Sequence, residues 1–220
     1  MGNMKSKNRG SNPLRRRDKR KKRAVARSVL LVTNGRVTER DYLQKAINMF
    51  QFSEGIKCRV KFIAGAPQTL FKDVQAMDTS EIEEIWLFFD RDDNDLNLLR
   101  SLLSKSERSG YKSVVSNPCF EVWLHAHYGL VNLCPRQSDA IKRYEKIAGI
   151  PTDSKDIPDG FPFENWKTAI NNLNLSESAI LKHTSGKYGN SDVNEIIDSP
   201  STSMGKFLEH IDFLKTQIQT

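Results

Sequence analysis

The stretch EEIWLFFDRDD, Glu83–Asp93, joins an unbroken apolar run to a cluster of acids. Ile85 to Phe89 has strand length, and an uninterrupted run of this kind suits a strand covered on both faces, as in a parallel sheet. Asp90, Arg91, Asp92 and Asp93 follow where that strand should end. In extended chain the side chains of Asp90 and Asp92 would share one face and Arg91 would take the other. Open α/β sheets bind ligands at the carboxyl ends of their strands, and two carboxylates there suit a hard cation such as Mg²⁺. The alternative is a solvated turn, with Asp93 or Asp95 capping the helix that follows.

On the N-terminal side, Val29–Thr33 (VLLVT) reads as a second buried strand, running into the turn signal Asn34-Gly35. Thr38 is then placed as a helix N-cap with Asp41 in the capping-box position, and Tyr42, Leu43, Ala46, Ile47 and Phe50 recur at helical spacing. Glu39 falls at the first helical position, at the same sheet edge as Asp90. It is there either to compensate the helix dipole or to supply a third carboxylate. Ile56–Ala64 alternates polar and apolar residues, the pattern of a strand near a sheet edge. Pro67 opens a short helix, Leu96 to Leu103 marks another that closes near Gly110, and Tyr111–Val115 supplies a fourth strand. Strand and helix thus alternate through residue 115, which implies βαβ units and a mostly parallel four-stranded sheet flanked by helices.

Past Asn117-Pro118, the stretch CFEVWLHAHY predicts a helix with Phe120, Trp123, Leu124 and His127 on one face and Glu121 in the first turn. Trp123 and Phe120 are expected in the core, and His125 and His127, two apart, do not share a helix face as a zinc pair would. Strand signals then stop. Ala140–Ala148, Glu164–Lys182 and Ser203–Ile218 are helical in pattern, and Pro/Asp/Gly-rich chain separates the first two. KHTSGK, 182–187, lacks the first glycine, the preceding strand and the final Ser/Thr of a phosphate loop. Lys182, His183, Lys187 and Tyr188 read as a solvated loop or a basic cluster.

Charge is divided unevenly. Twelve lysines and arginines stand against the single acid Asp18 within residues 1–27, so this arm carries +11 and the remaining chain −4 of the net +7. Such a like-charge block resists burial, and disorder is expected for it. Arg15, Arg16, Arg17, Lys19, Arg20, Lys21, Lys22 and Arg23 suit non-specific, salt-sensitive contact with nucleic-acid phosphates, or a solubilising tail. No apolar run has the length of a membrane span or of a signal-peptide core. Cys58, Cys119 and Cys134 form neither a zinc pattern nor a disulfide framework, so a cytoplasmic location is expected.

Taken in order, a basic arm, VLLVTNGRVTERDYL, WLFFDRDD and SNPCFEVWLHAHY resemble the RloB family, whose catalytic region is similar to the Toprim fold of topoisomerases, primases and OLD-type nucleases. The likeness spans roughly residues 13–130, with Ser199-Pro200-Ser201-Thr202 as a weaker C-terminal feature. With the charge and helical patterns above, the expected organisation is a disordered arm over 1–27, a body over 28–130 that the resemblance implies is a Toprim-like α/β catalytic domain, and a helical extension over 131–220 packed on it. The resemblance also implies a site for Mg²⁺ or Mn²⁺ in which Asp90, Asp92 and Glu39 are the metal ligands and Glu121, of the N-P-C-F-E element, is a further ligand or orients water. RloB-like proteins are associated with bacterial defence against phage, often beside an ATPase partner, and related Toprim nucleases cleave DNA or RNA. One position departs from the family pattern, in which a Glu-Gly pair follows the first strand: here it is Asn34-Gly35. Asn34 offers a neutral carbonyl oxygen but neither charge nor a base.

The expected activity is therefore metal-dependent cleavage of nucleic-acid phosphodiesters, of RNA such as tRNA or of DNA. Asn34, Glu39, Asp90, Asp92 and Glu121 form the catalytic set. Arg36, Arg40 and Arg91 are candidates for neutralising phosphate, Arg91 alternatively for pairing with its acidic neighbours. Two further readings remain open: an inactive nucleic-acid-binding or regulatory subunit docked on an ATPase, and a Mg²⁺-dependent phosphohydrolase.

Overall fold

A computed structural model describes residues 27–35, 37–49, 55–92, 94–154, 156–174 and 200–218. Strand β1 (Arg27–Thr33) leads to helix α1 (Thr38–Met49), and β2 (Ile56–Phe62) to α2 (Pro67–Gln75). Strand β3 (Glu84–Asp90) is followed by α3 (Leu96–Arg108), and β4 (Lys112–Asn117) by the short α4 (Glu121–Ala126). Helix α5 (Gln137–Ala148) and a helical segment over 166–174 (α6) precede β5 (Ser201–Thr202) and the C-terminal α7 (Met204–Ile218). The basic arm residues Arg15 to Arg23, together with Arg36, Asp93 and the stretch 182–188, lie outside the described residues.

The sheet order is β2-β1-β3-β4-β5, and the first four strands are parallel. This mostly parallel α/β arrangement is consistent with the Toprim-like fold implied by the resemblance. The fifth strand is an addition to the expected four. Ser201-Thr202 pairs antiparallel to Ser116-Asn117, and two polar residues are too few to show a strand period in sequence. The last helix is then anchored directly behind this strand, the Val115 N–H of β4 donating to Ser203 Oγ at 3.1 Å.

The apolar runs explain the layering. Val29 and Leu31 pair in register with Cys58 and Val60 and with Glu84 and Trp86, and this face carries α1, α4, α5, α6 and α7 over one core. Leu30, Val32, Ile85, Leu87 and Phe89 point to the other face, beneath α2 and α3. β2 lies at the edge, as its alternation predicts: Lys57, Arg59 and Lys61 are exposed. Helix boundaries follow local chemistry. Pro67 occupies the start of α2, Asp95 caps α3 by accepting from the Asn97 and Leu98 N–H groups, and Gly149 ends α5 in the left-handed region at φ 67°. The Asp95 cap realises one alternative read from the acid cluster.

At the opposite end of the sheet from the acids, Glu84 ties the C-terminal helix to the strands. It accepts from Lys112 Nζ at 2.9 Å, His210 Nε2 at 2.8 Å and Trp86 Nε1 at 3.2 Å. Phe207 packs edge-on against both Trp86 and Phe88 on the same side. Among the described residues no helix is long and apolar enough to cross a membrane.

Candidate functional site

The carboxyl ends of β1 and β3 open into a cavity of about 280 Å³ lined by Asn34, Thr38, Glu39, Asp90, Asp92 and Glu121, with Gln137 and Ile141 of α5 closing one side. Each acid arrives on a different piece of backbone. Asp90 is the last residue of β3, Glu39 stands in the first turn of α1, and Glu121 begins α4.

Asp92 reaches the cavity by a route that strand alternation did not foresee. The strand ends at Asp90, and Asp92 turns into the left-handed region at φ 43°, which Asp tolerates better than most residues. The loop after β4 holds this turn in place. Arg91 N–H donates to the Ser116 carbonyl at 2.8 Å and Asp92 N–H to the Pro118 carbonyl at 2.9 Å. The backbone N–H of Phe120 donates to the Asp90 carboxylate in return. The Asn117–Glu121 stretch is thus a backbone clamp on the acidic turn as well as the source of Glu121.

Glu39 and Glu121 are buried, 6% and 8% exposed, and the Thr38 hydroxyl donates to Glu121 Oε1 at 3.4 Å. Burial pushes the Glu39 carboxyl up to about 7; its own backbone N–H opposes the shift, while the charges of Glu121 and Asp92 add to it. Asp90 is raised well above the ordinary carboxylate range, first by burial and then by Glu39, Glu121 and Asp92. Glu39 and Asp90 are also hydrogen-bonded to each other, an arrangement that needs one shared proton. A Cβ built on Gly35 would fall on the Glu39 carboxylate, so the glycine after Asn34 is what leaves room for that acid.

The donor set suits a hard divalent cation: Glu39, Asp90, Asp92 and Glu121 carboxylates, and Asn34 Oδ1, which is buried without a hydrogen-bond partner among the described residues. As the side chains stand, no group of three or more His, Cys, Asp and Glu among the described residues is arranged to hold one ion.

Of the cationic candidates, Arg40 and Arg91 lie off the cavity wall. Arg91 Nη1 donates to Asn117 Oδ1 at 3.0 Å, and Arg40 is exposed beside Asp41 at 3.7 Å. His127 is a core residue: its Nδ1–H donates to the Trp123 carbonyl at 2.9 Å, leaving Nε2 to accept from the Tyr42 hydroxyl at 3.3 Å. Burial lowers its pKa to about 4, so the ring is neutral at pH 7. Trp123 and Phe120 are buried, as expected. Gln137 and Ile141 were not legible as site residues, because only the packing of α5 on α4 brings them there.

No curated protein and no solved structure matches this chain. The family model described as RloB-like protein matches residues 29–211, from the first buried strand into the C-terminal helix, and so takes in the whole acidic cavity. By that match the chain belongs to the RloB-like family.

Proposed function

We propose that the chain is a nuclease that cleaves nucleic-acid phosphodiesters with Mg²⁺ or Mn²⁺, acting in the cytoplasm in bacterial defence against phage beside an ATPase partner. The observation that carries the catalytic part is the convergence of Glu39, Asp90, Asp92 and Glu121 on one cavity at the carboxyl end of the sheet, next to the unsatisfied Asn34 Oδ1. Four acids in a small cavity repel one another, and a cation relieves that repulsion while suiting their oxygen chemistry.

Asp90, Asp92 and Glu39 would hold the ion. A divalent ion bound there supplies charge neutralisation of the phosphate and a lowered pKa for an attacking water. Glu121, which accepts from the Thr38 hydroxyl, would accept a proton from that water or orient it. Asn34 presents an oxygen to the same space without adding charge. The basic arm supplies the phosphate contacts that retain a polyanionic substrate, and with them a steep salt dependence. DNA and RNA, tRNA included, both meet this chemistry.

The neutral Asn34 supports a second reading, a nucleic-acid-binding subunit with an impaired site. One experiment separates the two. The protein, Asp90→Ala and Asn34→Glu are incubated with mixed tRNA, single-stranded DNA and duplex DNA, each with Mg²⁺, Mn²⁺ or EDTA. Metal-dependent cleavage that Asp90→Ala abolishes is the expected result. Cleavage by Asn34→Glu alone would establish the impaired site, and no cleavage by any of the three would end the nuclease reading for the isolated chain.

A further inference from the structure

A second cleft of about 560 Å³ opens at the far ends of α4 and α5, lined by His125, Leu130, Asn132, Arg143, Lys146 and Ile147. No carboxylate lines it. Asp139 is engaged by Arg136 at 3.2 Å, and Glu145, two residues from Arg143, is buried on the opposite side of α5. Arg143 Nη1 is buried and has no hydrogen-bond partner among the described residues. A guanidinium stays charged and its N–H groups need acceptors, so a buried nitrogen without one is a costly arrangement unless an anion or water fills it. Lys146 lies one turn further along the same helix and His125 faces across the cleft, close enough for the Arg143 charge to act on its ring.

Beside these cations stand Leu130, 55% exposed, and Ile147, 40% exposed, two of the four large apolar side chains most exposed among the described residues. The pairing decides the ligand class. A bare anion would use the cations and leave Leu130 and Ile147 wet, whereas a ligand with a flat apolar body and a phosphate would use both.

We infer that the α4–α5 cleft is a nucleotide-binding site, with Arg143 and Lys146 on the phosphate and Leu130 and Ile147 against the base and sugar. It is separate from the acidic cavity, which lies at the opposite ends of the same two helices, and it does not depend on the nuclease reading.

The test is equilibrium binding of 5′-AMP, adenosine and inorganic phosphate to the full chain in EDTA, which removes any metal-mediated binding at the acids. Saturable binding of 5′-AMP is expected, weakened about tenfold or more in Arg143→Met and in Lys146→Met. Adenosine and inorganic phosphate should each bind at least about tenfold more weakly than 5′-AMP, each lacking one half of the recognition. No binding of 5′-AMP up to the millimolar range would overturn the inference. So would equal binding by both variants, which would assign it to the basic arm, or inorganic phosphate binding as tightly as 5′-AMP. If Arg143→Met does not fold, Lys146→Met, an exposed position, decides alone. Binding of a short oligonucleotide that Arg143→Met weakens equally would place the phosphate in a strand as well as in a free nucleotide.

Discussion

The carboxyl groups of Glu39 and Asp90, 51 positions apart in the chain, are hydrogen-bonded to each other in a pocket that also holds Asp92 and Glu121. In the unfolded chain these carboxyls titrate near their ordinary values of 4.5 and 3.8. In the folded protein Glu39 holds its proton to about 7 and Asp90 holds its own well above 3.8. Between those limits the native state binds more protons than the unfolded state, so stability falls as pH rises through this window. Thermal melts of the protein in EDTA should therefore show Tm dropping from pH 4.5 to 7.5. Asp90→Asn should flatten the profile, and Mg²⁺ or Mn²⁺ should restore Tm at the upper end. A Tm that climbs over the same range would contradict the arrangement.

Gly35 stands where a side chain would displace the Glu39 carboxylate. Gly35→Ala should therefore resemble Glu39→Ala in function although it touches no charge. Both should lose most of the stabilisation by divalent ions, and Gly35→Ala should also destabilise the metal-free fold by about 1–3 kcal/mol, the usual range for overpacking. Denaturant titrations with and without Mg²⁺ measure both effects. Unchanged metal response in Gly35→Ala would show that Glu39 moves freely.

Asn34→Asp keeps the shape of the side chain and places a charge beside four acids. The metal-free protein should lose about 1–3 kcal/mol, the penalty of an unsatisfied buried polar group and more if it stays ionised. Affinity for a divalent ion should rise by about tenfold or more, since a carboxylate replaces a neutral carbonyl as ligand. Calorimetric titration with Mn²⁺ checks this directly.

Glu84 is the corresponding test at the other end of the sheet. Burial raises its pKa, but the hydrogen bonds from Lys112, His210 and Trp86 outweigh it and the net shift is downward. A depressed carboxyl contributes stability above its unfolded pKa and loses it as pH falls through the folded one. Glu84→Gln should cost about 1–3 kcal/mol at pH 7, the range for a hydrogen bond to a charged group. The difference from the parent should shrink as pH falls below the ordinary glutamate value of 4.5 and through the lower folded one. Urea unfolding at pH 7 and at pH 3.5 compares the two, and a constant difference would mean that the charge of Glu84 is not what holds α7.

The layers, and the sheet edge at which chemistry is possible, are legible in the amino-acid order. Ile85–Phe89 and Val29–Thr33 are apolar without interruption, and only a strand covered on both faces accommodates that. The same chain order placed Glu39, Asp90 and Glu121 at the carboxyl ends of the strands, because each lies at the junction of a strand or turn with a helix. The tertiary structure alone decided how the acids meet. Alternation along a strand does not extend past Asp90, and it is the left-handed turn at Asp92, clamped by the Ser116 and Pro118 carbonyls, that brings Asp92 into the cavity. Gln137, Ile141 and the two-residue β5 were equally invisible, since their positions come from contacts between distant segments and not from any local period. Periodicity reports which face of an element is buried; the partners that face will meet are set by packing, and the acidic site is made of such meetings.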